Sequence, residues 1–402
     1  MNVSKQYGDL MITLTSQYDM RYPDSGSGAR MDGTFWHPRG EGDYRPLGSI
    51  CVGNYNDVNN NRASMLFANA PGSNAVAAPV DYAWVWDDSG SGADWDGSVW
   101  RPIAPNGYLA LGDVATSNHD KPSLGDVWCV RADLVTNGVF AGDKAWQDAG
   151  SGGDHDVAAW PVEVGDPSRD PQMGVFAPDT FIGVPSYDVA PNMGLAMVVQ
   201  VPITAEVGAA PVRPSLEGRT PPTDHTPPVR DRSVVLPFTA LFDRTDRPSL
   251  DKIANPFCTI ERWVGWSLVL FDDNTTSAPQ TTSKATTVGV TTTESEAFAH
   301  SVGIKLGWET GAITKYKVEL NYQFTYTTSS STANLQSATV TRSLSTPAGV
   351  AAGLWTATYK FRVIRADGAV IGRELTFDVD SVAHDQYPPV APGVSKALAM
   401  AG

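Results

Sequence analysis

Three cysteines in 402 residues are too few, and odd in number, for a disulfide framework. Cys51, Cys129 and Cys258 sit among apolar or aromatic neighbours with no ligand-like spacing, so they read as buried structural thiols rather than a zinc knuckle. No apolar run reaches the length of about 18 residues that a membrane-spanning helix needs, and Met1 to Ser16 lacks the continuous apolar stretch of a secretory signal. The chain is therefore expected to be soluble when made and released by a non-classical route. Cationic residues are also scarce: 29 Lys and Arg against 44 Asp and Glu give a formal charge of −15 and a pI near 4.7. That balance excludes the basic footprint of a nucleic-acid binder and electrostatic docking on anionic lipid. Catalytic constellations are missing too. His37, His119, His155, His225, His300 and His384 are scattered, and no G-x-S-x-G, H-E-x-x-H, phosphate-loop or dinucleotide-loop context occurs. The expectation is a chain that is not an enzyme and carries no cofactor.

What the sequence has in abundance is glycine (37), proline (29) and tryptophan (12), the mark of short strands joined by tight turns in an all-β chain. Residues 1–204 also contain a repeat. Tyr22-Pro-Asp-Ser-Gly-Ser-Gly-Ala-Arg-Met-Asp-Gly-Thr-Phe-Trp36 returns as Trp86-Asp-Asp-Ser-Gly-Ser-Gly-Ala-Asp-Trp-Asp-Gly-Ser-Val-Trp100 and as Trp146-Gln-Asp-Ala-Gly-Ser-Gly-Gly-Asp-His-Asp-Val-Ala-Ala-Trp160. In each copy the first aromatic and the last tryptophan are 14 apart, and the copies follow at 100−36 = 64 and 160−100 = 60 residues. Three copies of some sixty residues, each with short strands, predict pseudo-threefold symmetry: three small sheets sharing one core, a β-prism. The wording from Trp86 through Trp100-Arg-Pro-Ile to Gly107-Tyr-Leu-Ala-Leu-Gly-Asp113 resembles the vacuolar protein sorting-associated protein 62 family over about residues 10–203. That resemblance implies the prism, not a trafficking role.

The repeated loops place acids at matched positions: Asp24, Asp88 and Asp148, then Asp32, Asp96 and Asp156, with Asp94 and Asp154 replaced by Arg30 in the first copy. One reading is structural, since Ser-Gly-Ser-Gly permits positive φ and short Asp side chains accept neighbouring backbone N–H groups. A second is a Ca²⁺ site, although no complete D-x-D-x-D-G loop is present. A third is a glycan site, in which aspartates accept sugar hydroxyls and Trp95 or Trp100 stacks on the ring, by analogy with jacalin-type prisms. The glycan candidates are thus Asp24, Asp32, Asp88, Asp94, Trp95, Asp96, Trp100, Asp148, Asp154 and Asp156.

Residues 205–232 alternate prolines with Arg213, Arg219, Arg230 and Arg232, and read as a semi-extended connector open to proteolytic nicking. Beyond it, 233–402 is expected to form a second β domain. Its centre is 297–327. Even positions run Phe298, His300, Val302, Ile304, Leu306, Trp308, then after a turn Tyr316, Val318, Leu320, Tyr322, Phe324, Tyr326. The pattern predicts an amphipathic β-hairpin with two strands of 11 residues (308−298+1 and 326−316+1), matching the about 9–11 that a tilted membrane strand needs. A half-buried soluble sheet alternates in the same way. His300 interrupts the apolar face. Thr/Ser tracts from Thr275 to Thr293 and from Thr325 to Thr332 flank the hairpin and read as extended arms solvated on both faces.

Such arms around a short hairpin, with Ser301-Val-Gly-Ile-Lys-Leu-Gly-Trp308 and the segment Glu319 to Ser329, resemble the aerolysin-type β-pore-forming toxins, in particular the epsilon-toxin and mosquitocidal-toxin branch, over about residues 233–385. The resemblance implies an elongated pore-forming and oligomerisation domain in an insecticidal toxin. Its head would bind a cell-surface receptor, a glycan among the candidates, and its copies would assemble as a homo-oligomer in the target bilayer. Phe298, Val302, Ile304, Leu306, Trp308, Tyr316, Val318, Leu320, Tyr322 and Phe324 would face lipid; Lys305, Glu309, Lys315, Lys317 and Glu319 would line the lumen. The alternative is a non-lytic, lectin-like carbohydrate-binding protein.

Overall fold

The computed structural model describes residues 2–165, 173–188, 194–302 and 337–389, together with the backbone of short strands at Ile304–Lys305, Val318–Glu319, Thr327–Thr328 and Ser331–Thr332. The described residues are almost wholly β. They divide into two units, one of Met1–Thr204, Leu236–Cys258 and Lys315–Glu319, the other of Ala205–Val235, Thr259–Thr314 and Leu320–Gly402.

In the first unit each copy of the repeat builds the same antiparallel sheet. Tyr18–Pro23, Thr34–Pro38 and Ile50–Val52 form one, Asp81–Asp87, Ser98–Ile103 and Val114–Thr116 the next, and Trp146–Gln147, Ala158–Glu163 and Phe181–Val184 the third. The first two sheets even share a bulge at the same place, between Met20 and Tyr22 and between Trp84 and Trp86. A ring of backbone hydrogen bonds closes the symmetry: Ser49 N–H donates to the Asp113 carbonyl (2.8 Å), Asp113 N–H to Phe181 (2.9 Å), and Phe181 N–H back to Ser49 (3.3 Å).

Tyr22, Trp86 and Trp146 meet in one core, with ring centroids 5.5 Å apart for the two indoles and 5.6 and 6.4 Å for the tyrosine pairs. The central strands fill what remains, with Phe35 beside the smaller Tyr22 and with Val99 and Ala159 in the two copies that carry a tryptophan. A large central-strand residue thus accompanies the smaller aromatic, and small ones accompany the tryptophans. The spacing predicts three sheets, whereas each copy makes two. The first and last strands of each copy also pair, Leu10–Thr15 with Ser64–Asn69, Val76–Ala77 with Cys129–Arg131, and Val135–Asn137 with Met197–Pro202. All three cysteines are free and buried.

The second unit is built on a five-stranded sheet in the order Glu206–Val207, Val229–Pro237, Phe257–Asp273, Ala351–Arg365, Val370–Tyr387. Alternating residues of the last two strands, among them Tyr359, Phe361 and Phe377, are buried, and Phe361 stacks on Phe377 at 6.0 Å. The proline-rich stretch expected as a connector lies along this sheet. Leu216 is buried with Trp355 and Ala383, Thr226 N–H donates to the Trp266 carbonyl, and Arg219 pairs with Asp273 at 2.6 Å.

From the sheet extends a two-stranded antiparallel ribbon, Gln280–Val288 with Ala338–Thr346, in unbroken register from Gln280↔Thr346 to Val288↔Ala338. Most of its residues are exposed, as the Ser/Thr composition predicts. The region after it departs from the expected hairpin: Thr292–Val302 is an α-helix.

Candidate functional site

The three Asp-Ser/Ala-Gly-Ser-Gly loops interlock at one end of the pseudo-threefold axis. Within each loop the buried aspartate holds the chain entering the central strand. Asp24 Oδ1 accepts Gly33 N–H (2.9 Å), Asp88 Oδ1 accepts Gly97 N–H (2.9 Å), and Asp148 Oδ1 accepts Val157 N–H (2.8 Å). Between loops a second ring of bonds runs round the axis, from Arg30 N–H to Ala149 O, Asp94 N–H to Ser25 O and Asp154 N–H to Ser89 O, each 2.9 Å. Gly90, at φ 81°, shows why the motif needs glycine: a Cβ there would lie 2.9 Å from Asp154 Oδ1 of the adjoining loop. Asp24, Asp88 and Asp148 thus each make the local backbone hydrogen bond that the structural reading expects.

Round them stands an acidic, aromatic rim. Asp32, Asp94, Asp96, Asp154 and Asp156 are exposed, as is Trp95 at 52 %. Trp100, the other indole expected to stack on a sugar, is buried in its strand, and its Nε1 donates to Ser98 Oγ at 2.7 Å. That is a correction, since strand position 100 faces a small cluster with Tyr82, Val114 and Val127. Sequence reasoning missed the third member of each corner. Tyr55 donates to Asp24 Oδ1 (2.6 Å), His119 Nε2 lies 2.7 Å from Asp88 Oδ1, and Tyr187 donates to Asp156 Oδ1 (2.6 Å). A signal existed for two of them, because Tyr55 and His119 follow Trp36 and Trp100 by 19 residues each (55−36, 119−100).

The hydrogen bond to Asp88 raises the His119 pKa. Burial and the adjoining carboxylates raise those of Tyr55 and Tyr187. Asp88, Asp96 and His119 bring one ligand atom each to within 4.8 Å of one another, the set among the described residues that could hold a cation. In the other two corners a phenol takes that place. Trp84, 43 % exposed, adds another aromatic to the rim, its ring 4.7 Å from that of His155.

Residues 6–177 match the vacuolar protein sorting-associated protein 62 family. No curated protein sequence matches the chain. Among solved structures, GNIP1Aa from Chromobacterium piscinae is 32 % identical over 46 % of this chain, with a TM-score of 0.39, and the match spans 34 % of the GNIP1Aa chain. Cry35Ab1 aligns over 96 % of this chain and 91 % of its own at 9 % identity, with a TM-score of 0.34. The matched family region contains the three repeated loops with Tyr55 and His119, and Tyr187 lies beyond it.

The second candidate element is the helix Thr292–Val302. It begins with a capping box: Glu294 N–H donates to Thr291 Oγ1 (3.2 Å) while the Glu294 carboxylate accepts Thr291 N–H (3.1 Å). Ser295, Phe298 and Val302 are buried, a spacing of three and four that makes one helical face. The helix packs on the strand Val370–Tyr387, where Arg373 N–H donates to Ser301 Oγ at 3.1 Å. Phe298 and Val302, expected on a lipid-facing strand, here face protein from a helix, and His300 is exposed. Ile304, Lys305, Val318 and Glu319 lie in short strands. Leu306, Trp308, Glu309, Lys315, Tyr316, Lys317, Leu320, Tyr322 and Phe324 lie outside the described residues.

Proposed function

We propose that the chain is a β-pore-forming toxin whose three-loop head binds a surface receptor and whose 289–337 segment inserts into the target bilayer. One observation carries this reading: the solvated Ser/Thr ribbon closes its register at Val288↔Ala338, so that 337−289+1 = 49 residues, including the amphipathic stretch, are held between its two arms. Within that segment Phe298 and Val302 are kept from water against the protein's own sheet. The wording of Ser301–Trp308 and Glu319–Ser329, similar to the epsilon-toxin branch, supports the same reading.

The energetics dictate an order of events. Ten apolar side chains entering lipid at about 1.5–3 kcal/mol each give roughly 15–30 kcal/mol, an upper estimate. Against this, each unsatisfied backbone group at an open strand edge costs several kcal/mol in hydrocarbon. A lone hairpin therefore cannot stay inserted, whereas a closed ring of copies can. Lys305, Glu309, Lys315, Lys317 and Glu319 would then face the wet lumen.

A second reading, a non-lytic lectin-like protein, is favoured by the rim of exposed aspartates around Trp95. Dye release from vesicles made of target-cell lipid, with heat-stable oligomers on gels, supports the pore. Binding to the same vesicles without release supports the lectin.

A further inference from the structure

The first central sheet carries a second, chemically opposite feature. On a chain of formal charge −15, Arg21, Arg39 and Arg45 converge with His37, Asp19 and Asp126 on an open cleft of about 460 Å³. Two of the arginines are committed. Arg39 pairs with Asp19 at 2.8 Å, and Arg45 donates to the Gly125, Gly42 and Tyr44 carbonyls while its guanidinium lies 5.8 Å above the Trp128 ring. His37 is committed as well, between Ser49 Oγ (2.9 Å) and the Asp126 carbonyl (3.2 Å). Arg21 is not. Its Nε is buried without a hydrogen-bond partner, and its guanidinium makes no ion pair among the described residues. The Asp126 carboxylate likewise accepts no hydrogen bond among them.

The repeat shows that this cation is not there for the fold. At the spacings of 64 and 60, position 21 corresponds to 85 and 145, which are Val85 and Ala145. The other two copies carry an apolar residue there, Val85 within the strand Asp81–Asp87 and Ala145 just before the strand Trp146–Gln147. A buried Nε without a partner is costly, and the planar fork of donors to which it belongs fits a carboxylate or a sulfate. A free inorganic anion would be opposed by the two aspartates in the cleft. A sugar that carries an acid and also hydroxyls meets both signs, and the volume suits one ring.

We propose that this cleft binds an acidic monosaccharide unit, with Arg21 taking its carboxylate or sulfate and Asp126 accepting adjacent hydroxyls. The inference rests on the proposed function only in that the head recognises a glycan, and pore formation plays no part in it.

The test titrates the full chain, without membranes, against N-acetylneuraminic acid, galactose 6-sulfate and galactose. At least one acidic sugar should bind about tenfold or more tightly than galactose, weakening as salt is raised, and the preferred one distinguishes carboxylate from sulfate. Arg21→Val, which the partner copies show to be compatible with the sheet, should abolish that preference with native unfolding behaviour. Trp95→Ala, in the loop rim, should leave it intact. Equal binding of all three sugars, or full acidic-sugar binding by folded Arg21→Val, would overturn the proposal, as would loss of the preference in Trp95→Ala alone. Failed dye release by a chain that still binds the acidic sugar would count against the pore and not against this cleft.

Discussion

His37 shows how one side chain ties stability to pH. Burial, aided by the charge of Arg21, lowers its pKa from 6.5 to about 4. The unfolded chain therefore takes up a proton near pH 6.5 that the folded head refuses until about pH 4, so this contribution is complete above pH 6.5 and lost as pH falls towards 4. The shift is worth about 3 kcal/mol. Urea unfolding followed from pH 7 to 4 should show a loss of that order, and His37→Asn should flatten the profile; an unchanged profile would count against a neutral buried imidazole. His119 runs the opposite way. Its pKa is raised by Asp88, so its support is complete at low pH and fades as pH rises through the raised value. At Gly90 a side chain would meet both positive φ and Asp154, so Gly90→Ala should destabilise the head by about 1–3 kcal/mol in chemical unfolding.

The loops' repeated aspartates were legible as turn chemistry, because residue type and spacing alone determine which backbone N–H each can reach. The exposure of Trp95 and the burial of Trp100 were not. Five residues separate them, and only pairing of the central strand decides which indole faces the core.

At the scale of the element, the helix Thr292–Val302 explains both what alternation revealed and where it misled. Phe298 and Val302 are four apart, a spacing that satisfies a strand's period of two and a helix's one-turn neighbours alike. His300 distinguishes them, since a strand face would have to take it in, whereas the helix leaves it in solvent. The capping signature Thr291-x-x-Glu294 was already in the sequence, and it marks a helix start. Because Val302 is fully buried against the strand that contains Gly372, Val302→Lys would disturb the resting fold and cannot probe insertion cleanly.

A tether is the better probe. All native cysteines are buried, so Ser301→Cys with Arg373→Cys can be joined selectively by a short reducible linker across the contact those residues make. Dye release should vanish in the tethered form and return on reduction. A control pair, Ser283→Cys with Ser343→Cys, joins the two arms where their hydroxyls lie 2.8 Å apart and should leave release unaffected. Release by the protein tethered at 301 and 373 would rule out movement of the helix as a step in permeabilisation.

For the whole molecule, charge and symmetry set the terms. The threefold head was legible because three copies at near-equal spacing leave few closed arrangements, and the rings of hydrogen bonds through Ser49, Asp113 and Phe181 complete one of them. The doubled sheets were less legible, since pairing of a copy's first strand with its last spans most of the repeat and leaves no local mark. With a formal charge of −15, the chain is repelled by an anionic surface, and at physiological salt that repulsion reaches only about 8 Å. Under the proposed function, approach to a membrane would then depend on what the head recognises.

Vesicles containing phosphatidylserine but no glycolipid should therefore bind the protein no better than neutral ones. Adding acidic glycolipid should raise both binding and leakage. Once bound, open strand edges forbid single-copy insertion, so the initial rate of release should rise more steeply than the first power of the amount bound. Leakage that is first order in bound protein would mean that one copy suffices, and a ring of protomers closing before insertion could not then be the route through the bilayer.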